Sequence, residues 1–101
     1  MMMENEILKI NNLVHEPSRL LIISILSKLN HCDFNYLLSV SSLTKGNLSS
    51  HLSKLADGGI VEISKGFEGK LPKTTIKLTT NGRAIINDYK KDLKNILKLL
   101  S

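Results

Sequence analysis

One junction constrains the fold of this chain more than any other: a leucine-striped helix stops at a glycine pair and is followed at once by two β-type runs. Leu48, Leu52 and Leu55 recur at spacings of four and three, which places them on one helical face. Thr44 precedes the stripe and can cap the helix, because its hydroxyl oxygen accepts from the free amides of a first turn. Gly58-Gly59 supplies the stop. At about 100° per residue, Gly46, Asn47, Ser50, Ser53 and Lys54 point away from the leucines, so the outer face is small and polar. Next, Ile60-Val61-Glu62-Ile63 alternates in part as a strand, and Ile76 and Leu78 flank Lys77 in a second. The segment between, Ser64–Lys73, is rich in Gly and Lys and contains Pro72. It predicts a long, basic hairpin loop.

The flanks are helical. Met3, Ile7, Ile10 and Val14 follow a four-three-four spacing and predict an amphipathic first helix. Glu16-Pro17 breaks it, with Pro17 placed to begin a second helix whose apolar run Leu20–Leu29 ends near Asn30. His31-Cys32-Asp33 reads as a short strand or a turn, and Phe34, Leu37 and Leu38 as a third, short helix interrupted by Ser41-Ser42-Leu43. A final helix runs from about Arg83, capped by Thr79 or Thr80, with Ile86, Tyr89, Leu93, Ile96 and Leu100 forming a coiled-coil-like seam. The expected fold class is mainly α with a β-hairpin wing: a winged helix-turn-helix with N- and C-terminal dimerisation helices. Its boundaries are 34–57 for the helix-turn-helix, 60–78 for the wing, and 1–14 and 83–101 for the dimerisation helices, all in one domain of 1–101.

Composition supports this. A chain of 101 residues fits one module. With aromatics at 4% and no Trp, the core must rely on Leu and Ile, which suits helix packing. The net charge of +5 is uneven. Residues 1–43 carry three basic groups against four acidic ones, whereas 44–83 carry seven against three. Such a local excess fits a polyanionic partner, or simply a solvated surface. The lone Cys32 excludes an intramolecular disulfide and fits a reducing compartment. The early Glu4, Glu6 and Lys9 exclude a signal peptide, and no apolar run nears the ~18 residues of a membrane span. A soluble, cytoplasmic protein is expected.

Other chemistries find little support. Gly66-Phe67-Glu68-Gly69-Lys70 looks superficially like the nucleotide clamp of KH domains, but strands rather than helices flank it. It also lacks P-loop spacing. His15, His31 and Cys32 do not make three soft metal ligands at useful spacing. No nucleophile elbow or paired-acid arrangement appears, so the chain is not expected to be an enzyme, and no metal or cofactor is expected.

The segment from Leu43 through Leu55 (LTKGNLSSHLSKL), then Gly59-Ile60-Val61-Glu62, Lys65 to Lys70, Pro72-Lys73-Thr74-Thr75 and Leu78-Thr79 with Gly82-Arg83, resembles small winged-helix regulators of the MarR and ArsR types. The likeness reaches back to His15-Glu16-Pro17-Ser18-Arg19-Leu20. It implies a homodimer that binds double-stranded DNA as a repressor or activator. One departure is Leu71, where such proteins often carry a basic residue beside the one at Lys70. The candidate DNA-binding residues are Thr44, Lys45, Gly46, Asn47, Ser49, Ser50, Ser53, Lys54, Lys65, Lys70 and Lys73. At least one of Asn47 and Ser50 is expected to contact bases, Asn favouring adenine, while Lys45 and Lys54 are expected to contact phosphates rather than bases. His51, at the edge of the stripe, serves packing or a phosphate. The candidate dimer interface is Met3, Ile7, Ile10, Val14, Ile86, Tyr89, Leu93, Ile96 and Leu100. The rival readings are a protein-docking winged helix and a nonspecific, chromatin-like DNA binder.

Overall fold

The computed structural model describes residues 9–101: α1 (Pro17–Leu26), β1 (Cys32–Asp33), α2 (Phe34–Ser41), α3 (Lys45–Asp57), β2 (Val61–Glu68), β3 (Leu71–Leu78) and α4 (Thr80–Leu100). Each helix starts where a side-chain oxygen takes up an amide that the first turn leaves without a partner. Glu16 accepts from the Arg19 amide at 2.8 Å, just ahead of Pro17. Asp33 accepts from Tyr36 at 2.7 Å, Thr44 from Asn47 at 3.1 Å and Thr79 from Gly82 at 2.7 Å. Ser42 ends α2 in the left-handed region at φ 60°, and the Ser41 hydroxyl accepts from the Leu43 amide at 3.3 Å. These contacts make the sharp turn between α2 and α3.

The sheet is antiparallel in the order β1-β3-β2. Cys32 and Asp33 pair with Ile76 and Thr75, while β2 and β3 pair from Val61 opposite Leu78 to Glu68 opposite Leu71. From Thr74 to the tip the hairpin is a two-stranded ribbon. Pro72 lies in that ribbon, where β3 has a neighbour on one side only and a missing N–H is tolerated.

Val14, Ile22, Leu26, Leu37, Leu48, Leu55, Ile60 and Ile76 are fully buried at the centre of one core. The first half of α4 joins it through Gly82, Ile86 and Tyr89. Glycine is required at 82, because a Cβ there would collide with the Ile60 carbonyl. The Thr79 amide donates to that same carbonyl at 3.0 Å. In this way α4 is pinned to the root of the wing.

Four expectations change. The helix foreseen through Val14 is replaced over residues 11–16 by turns. There the Asn11 side chain accepts from the Leu13 and Val14 amides at 3.0 and 3.2 Å, competing with a helical ladder. Met3 and Ile7 lie outside the described residues. Helix α1 ends at Leu26, short of Asn30, as Lys28 and Leu29 donate three residues back in a tighter turn. The long loop foreseen over 64–73 is instead ladder, with Gly69 at φ 63° turning the chain within the pair Gly69-Lys70. Beyond the core neither face of this ribbon is buried, so no alternating pattern marks it as strand. Helix α4 also starts at Thr80 rather than near Arg83, with Thr79 as its cap.

Candidate nucleic-acid interface

Helix α3 is seated by Leu48, Leu52 and Leu55, at 0%, 2% and 0% exposure. Its opposite face carries Lys45, Gly46, Asn47, Ser49, Ser50, Ser53 and Lys54, all exposed, with Thr44 exposed at the cap. No bulky side chain stands between the helix backbone and an approaching surface. The amino-terminal end of α3, where free amides carry partial positive charge, lies at Lys45. Across from it the wing completes a groove of about 800 Å³, lined by Lys45, Ser49 and Ser53 on one side and Lys65 and Lys73 on the other.

Behind α3 lies a polar cluster. Arg19 donates through Nε to the Leu13 carbonyl at 2.6 Å, through Nη2 to the Asn12 carbonyl at 3.3 Å, and through Nη1 to His51 Nδ1 at 3.2 Å. Guanidinium can only donate, so His51 Nδ1 accepts and a neutral His51 ring carries its proton on Nε2. The Glu16 carboxylate is 3.8 Å from both Arg19 and His51. The Arg19 amide lowers the Glu16 pKa from its ordinary value; burial opposes this, and the Ser18 amide and the Arg19 charge add to it. His51, which sequence left between packing and a phosphate, is half-buried and bound to α1. Its pairing ties the turn before α1 to α3.

The wing is built differently. Lys65 and Lys70 are exposed. Lys73, one of the candidate DNA-binding residues, donates to Glu68 at 2.8 Å, a hydrogen bond that raises its pKa. Lys77 lies 3.8 Å from Glu62. The glycine-containing tip suggests a sheltered Phe67, yet Phe67 is 75% exposed and Leu71 73%. Sequence reasoning missed this pair. The signal was available: both flank a turn in a ribbon that no other layer covers.

The expected dimer seam divides. Ile10, Val14, Ile86 and Tyr89 belong to the chain's own core, and Val14 has no exposed surface to offer a partner. Tyr89 also has its hydroxyl 2.8 Å from His15 Nδ1, a bond from α4 to the turn before α1. Leu93 and Ile96 are half-buried at the edge of that core, whereas Leu97, Leu99 and Leu100 are exposed. Cys32 is a buried core residue, and its burial raises the thiol pKa. Among the described residues no helix is long and apolar enough to cross a membrane, and no cluster of His, Cys, Asp and Glu could hold a metal.

Residues 18–97 match the family described as winged helix DNA-binding domain. An uncharacterized protein of Methanocaldococcus jannaschii is 42% identical over 71 residues, covering 70% of this chain and 77% of that relative. A transcriptional regulator homologue from Pyrococcus horikoshii OT3 superposes with a TM-score of 0.88 at 27% identity, over 96% of this chain and 98% of that one. A MarR-family transcriptional regulator from Silicibacter pomeroyi shares the fold at 19% identity, with a TM-score of 0.65 over 90% of this chain and 60% of that one. With residues 18–97 matched, the chain belongs to the winged helix DNA-binding domain family.

Proposed function

We propose that this chain is a sequence-specific transcriptional regulator that binds a palindromic duplex site as a homodimer, with α3 in the major groove. The observation that carries this reading is the groove between the polar face of α3 and the basic wing. An α-helix fits the major groove, where base edges present their full donor and acceptor code. Asn47 and Ser50, exposed in the first two turns of α3, reach base edges, with Gly46, Ser49 and Ser53 permitting the close approach. Thr44, Lys45 and Lys54 lie toward the backbones, and Lys65 and Lys70 meet phosphates beside the groove. Lys73 contributes less, because Glu68 shares its charge. Residues 34–57 and 60–78 are thus the working parts of a single domain of 1–101.

The distal half of α4 supplies the twofold contact. Leu97, Leu99 and Leu100 are exposed there and continue the half-buried Leu93 and Ile96, an apolar surface that a small monomer rarely leaves to water. Pairing through it sets two α3 helices about 34 Å apart, one turn of DNA.

Selection from random duplexes by the purified protein tests the reading. An inverted repeat with half-sites one helical turn apart is the expected product, and binding should weaken steeply with salt as counterions are released. Selection that yields no motif, or a protein sedimenting as a monomer that holds one half-site as well as two, would overturn it.

A further inference from the structure

The wing ends in apolar side chains for which the fold provides no cover. Within the sheet Val61, Ile76 and Leu78 are buried and Ile63 is half-buried, yet Phe67 and Leu71 are about three-quarters exposed. Phe67 stands opposite Pro72, and Glu68 opposite Leu71. Cross-strand partners share a face and successive residues alternate, so Phe67 and Pro72 lie on one face of the ribbon and Leu71 on the other. The tip is therefore apolar on both faces. A flat partner would engage one face, whereas a cleft with two walls engages both.

Reach and charge indicate which cleft. The last β2 residue opposite the three-stranded part is Ser64, paired with Thr75, and Lys65–Glu68 extend beyond it. Four residues of strand span roughly 13 Å. A domain with α3 in the major groove has the adjacent minor groove about half a helical turn away, roughly 17 Å. Lys65 and Lys70 border the apolar tip and suit the phosphates that rim such a groove. Glu68, the one acid at the tip, would repel those phosphates, but Lys73 holds it at 2.8 Å.

We propose that Phe67, with Pro72 beside it and Leu71 on the opposite face, is a minor-groove wedge that packs on the sugar walls and base edges flanking the α3 site and loosens one base step. This rests on the DNA-binding reading and deepens it. Apolar side chains inserted between base steps are a general device for gripping a minor groove, and pyrimidine–purine steps yield most easily. The flank is therefore read through its deformability, with TA or CA steps favoured.

The test measures binding by fluorescence anisotropy of the full chain on the selected duplex and on one shortened to end before the flanking minor groove. Phe67→Ala is expected to weaken binding about tenfold on the long duplex and leave the short one unaffected. The slope against salt should stay the same, because no charge is lost. Phe67→Leu should retain most of the affinity, and 2-aminopurine at the flanking step should brighten with the wild type but not with Phe67→Ala. Equal affinity of wild type and Phe67→Ala on the long duplex, with Asn47-dependent binding intact, overturns the wedge alone. Equal loss on both duplexes also overturns it, by assigning Phe67 to the fold. A wild type that binds neither duplex removes the DNA reading itself.

Discussion

Helix α3 and the wing sit on opposite sides of one groove, yet they are held in place by different means. Three buried leucines, a threonine cap and the Arg19–His51 contact fix α3 at its base, its start and its flank. The outer wing has only a two-stranded ladder and the Lys73–Glu68 pair, and an isolated hairpin of this kind is marginal in water. From this difference α3 is expected to be the stiffer surface and the outer wing the more compliant one. A rigid α3 suits the reading of base edges, whose donors and acceptors tolerate little displacement. A compliant wing suits a backbone and a groove whose width varies with sequence.

The largest effect should come from removing the base of α3. Leu55→Ala is expected to cost about 2–5 kcal/mol, a lost transfer term plus a cavity, while Phe67→Ala at the exposed tip should stay within about 0.5 kcal/mol. Urea unfolding of the two variants measures both, and comparable losses would erase the contrast. Next comes the junction where the wing meets α4. Gly82→Ala places a methyl group against the Ile60 carbonyl, so α4 must shift or the strand root must move, at about 1–3 kcal/mol. A melting temperature unchanged by Gly82→Ala would show that the contact yields freely.

The same contrast explains what the sequence disclosed. Periodicity marks elements that bury one face, so α3 was legible from its leucines and its cap from Thr44. The turn between α2 and α3 was legible as Ser41-Ser42-Leu43. The ribbon beyond Ser64 buries neither face, and its strands were invisible to any pattern argument. The turns at 11–16 were hidden because Ile10 and Val14 keep helical spacing while Asn11 sets the backbone. Among the candidate DNA-facing residues the polar face of α3 was legible, but the Lys73–Glu68 bond was not, since it depends on a register that only the folded hairpin supplies. The division of the α4 seam was hidden for a related reason. One apolar stripe serves the chain's own core at Ile86 and Tyr89 and runs past that core toward Leu100, with nothing in its rhythm to mark the change.

A smaller effect sharpens the account of how α3 is held. The Glu16 pKa lies below its ordinary value near 4.5, chiefly through the Arg19 amide that it caps. A lowered folded-state pKa means the carboxylate contributes stability that is fully present above the unfolded value and is lost as pH falls through the folded one. Urea midpoints should therefore decline below about pH 4.5, and Glu16→Gln should flatten that part of the profile. The profile is a sum over all carboxylates, so the comparison of the two proteins is the measurement. Identical slopes would mean that the capping bond does not distinguish the charged side chain from the neutral one.

The smallest change in stability and the clearest change in binding should come from Glu68 in the wing. Glu68→Gln removes an exposed ion-pair partner at a position 73% exposed, and pairs of this kind contribute little to folding, so the urea midpoint should not move measurably. In the wild type Lys73 divides its charge between Glu68 and any phosphate that comes near. Freed of the carboxylate, it becomes a full cation beside the backbone. Affinity at low salt should then rise for all duplexes alike, and the slope of log K against log salt should steepen by up to about one. Lys73→Ala should correspondingly weaken binding less than Lys70→Ala, because the charge it deletes is already shared. In the double variant Glu68→Gln/Lys73→Ala the gain from Glu68→Gln should shrink, a coupling that a double-mutant cycle measures directly. If Glu68→Gln instead lowered affinity without touching the fold, the carboxylate would be contacting the partner itself. The wing would then be reading groups through a fixed polar contact as α3 does, and its contrast with α3 would fail.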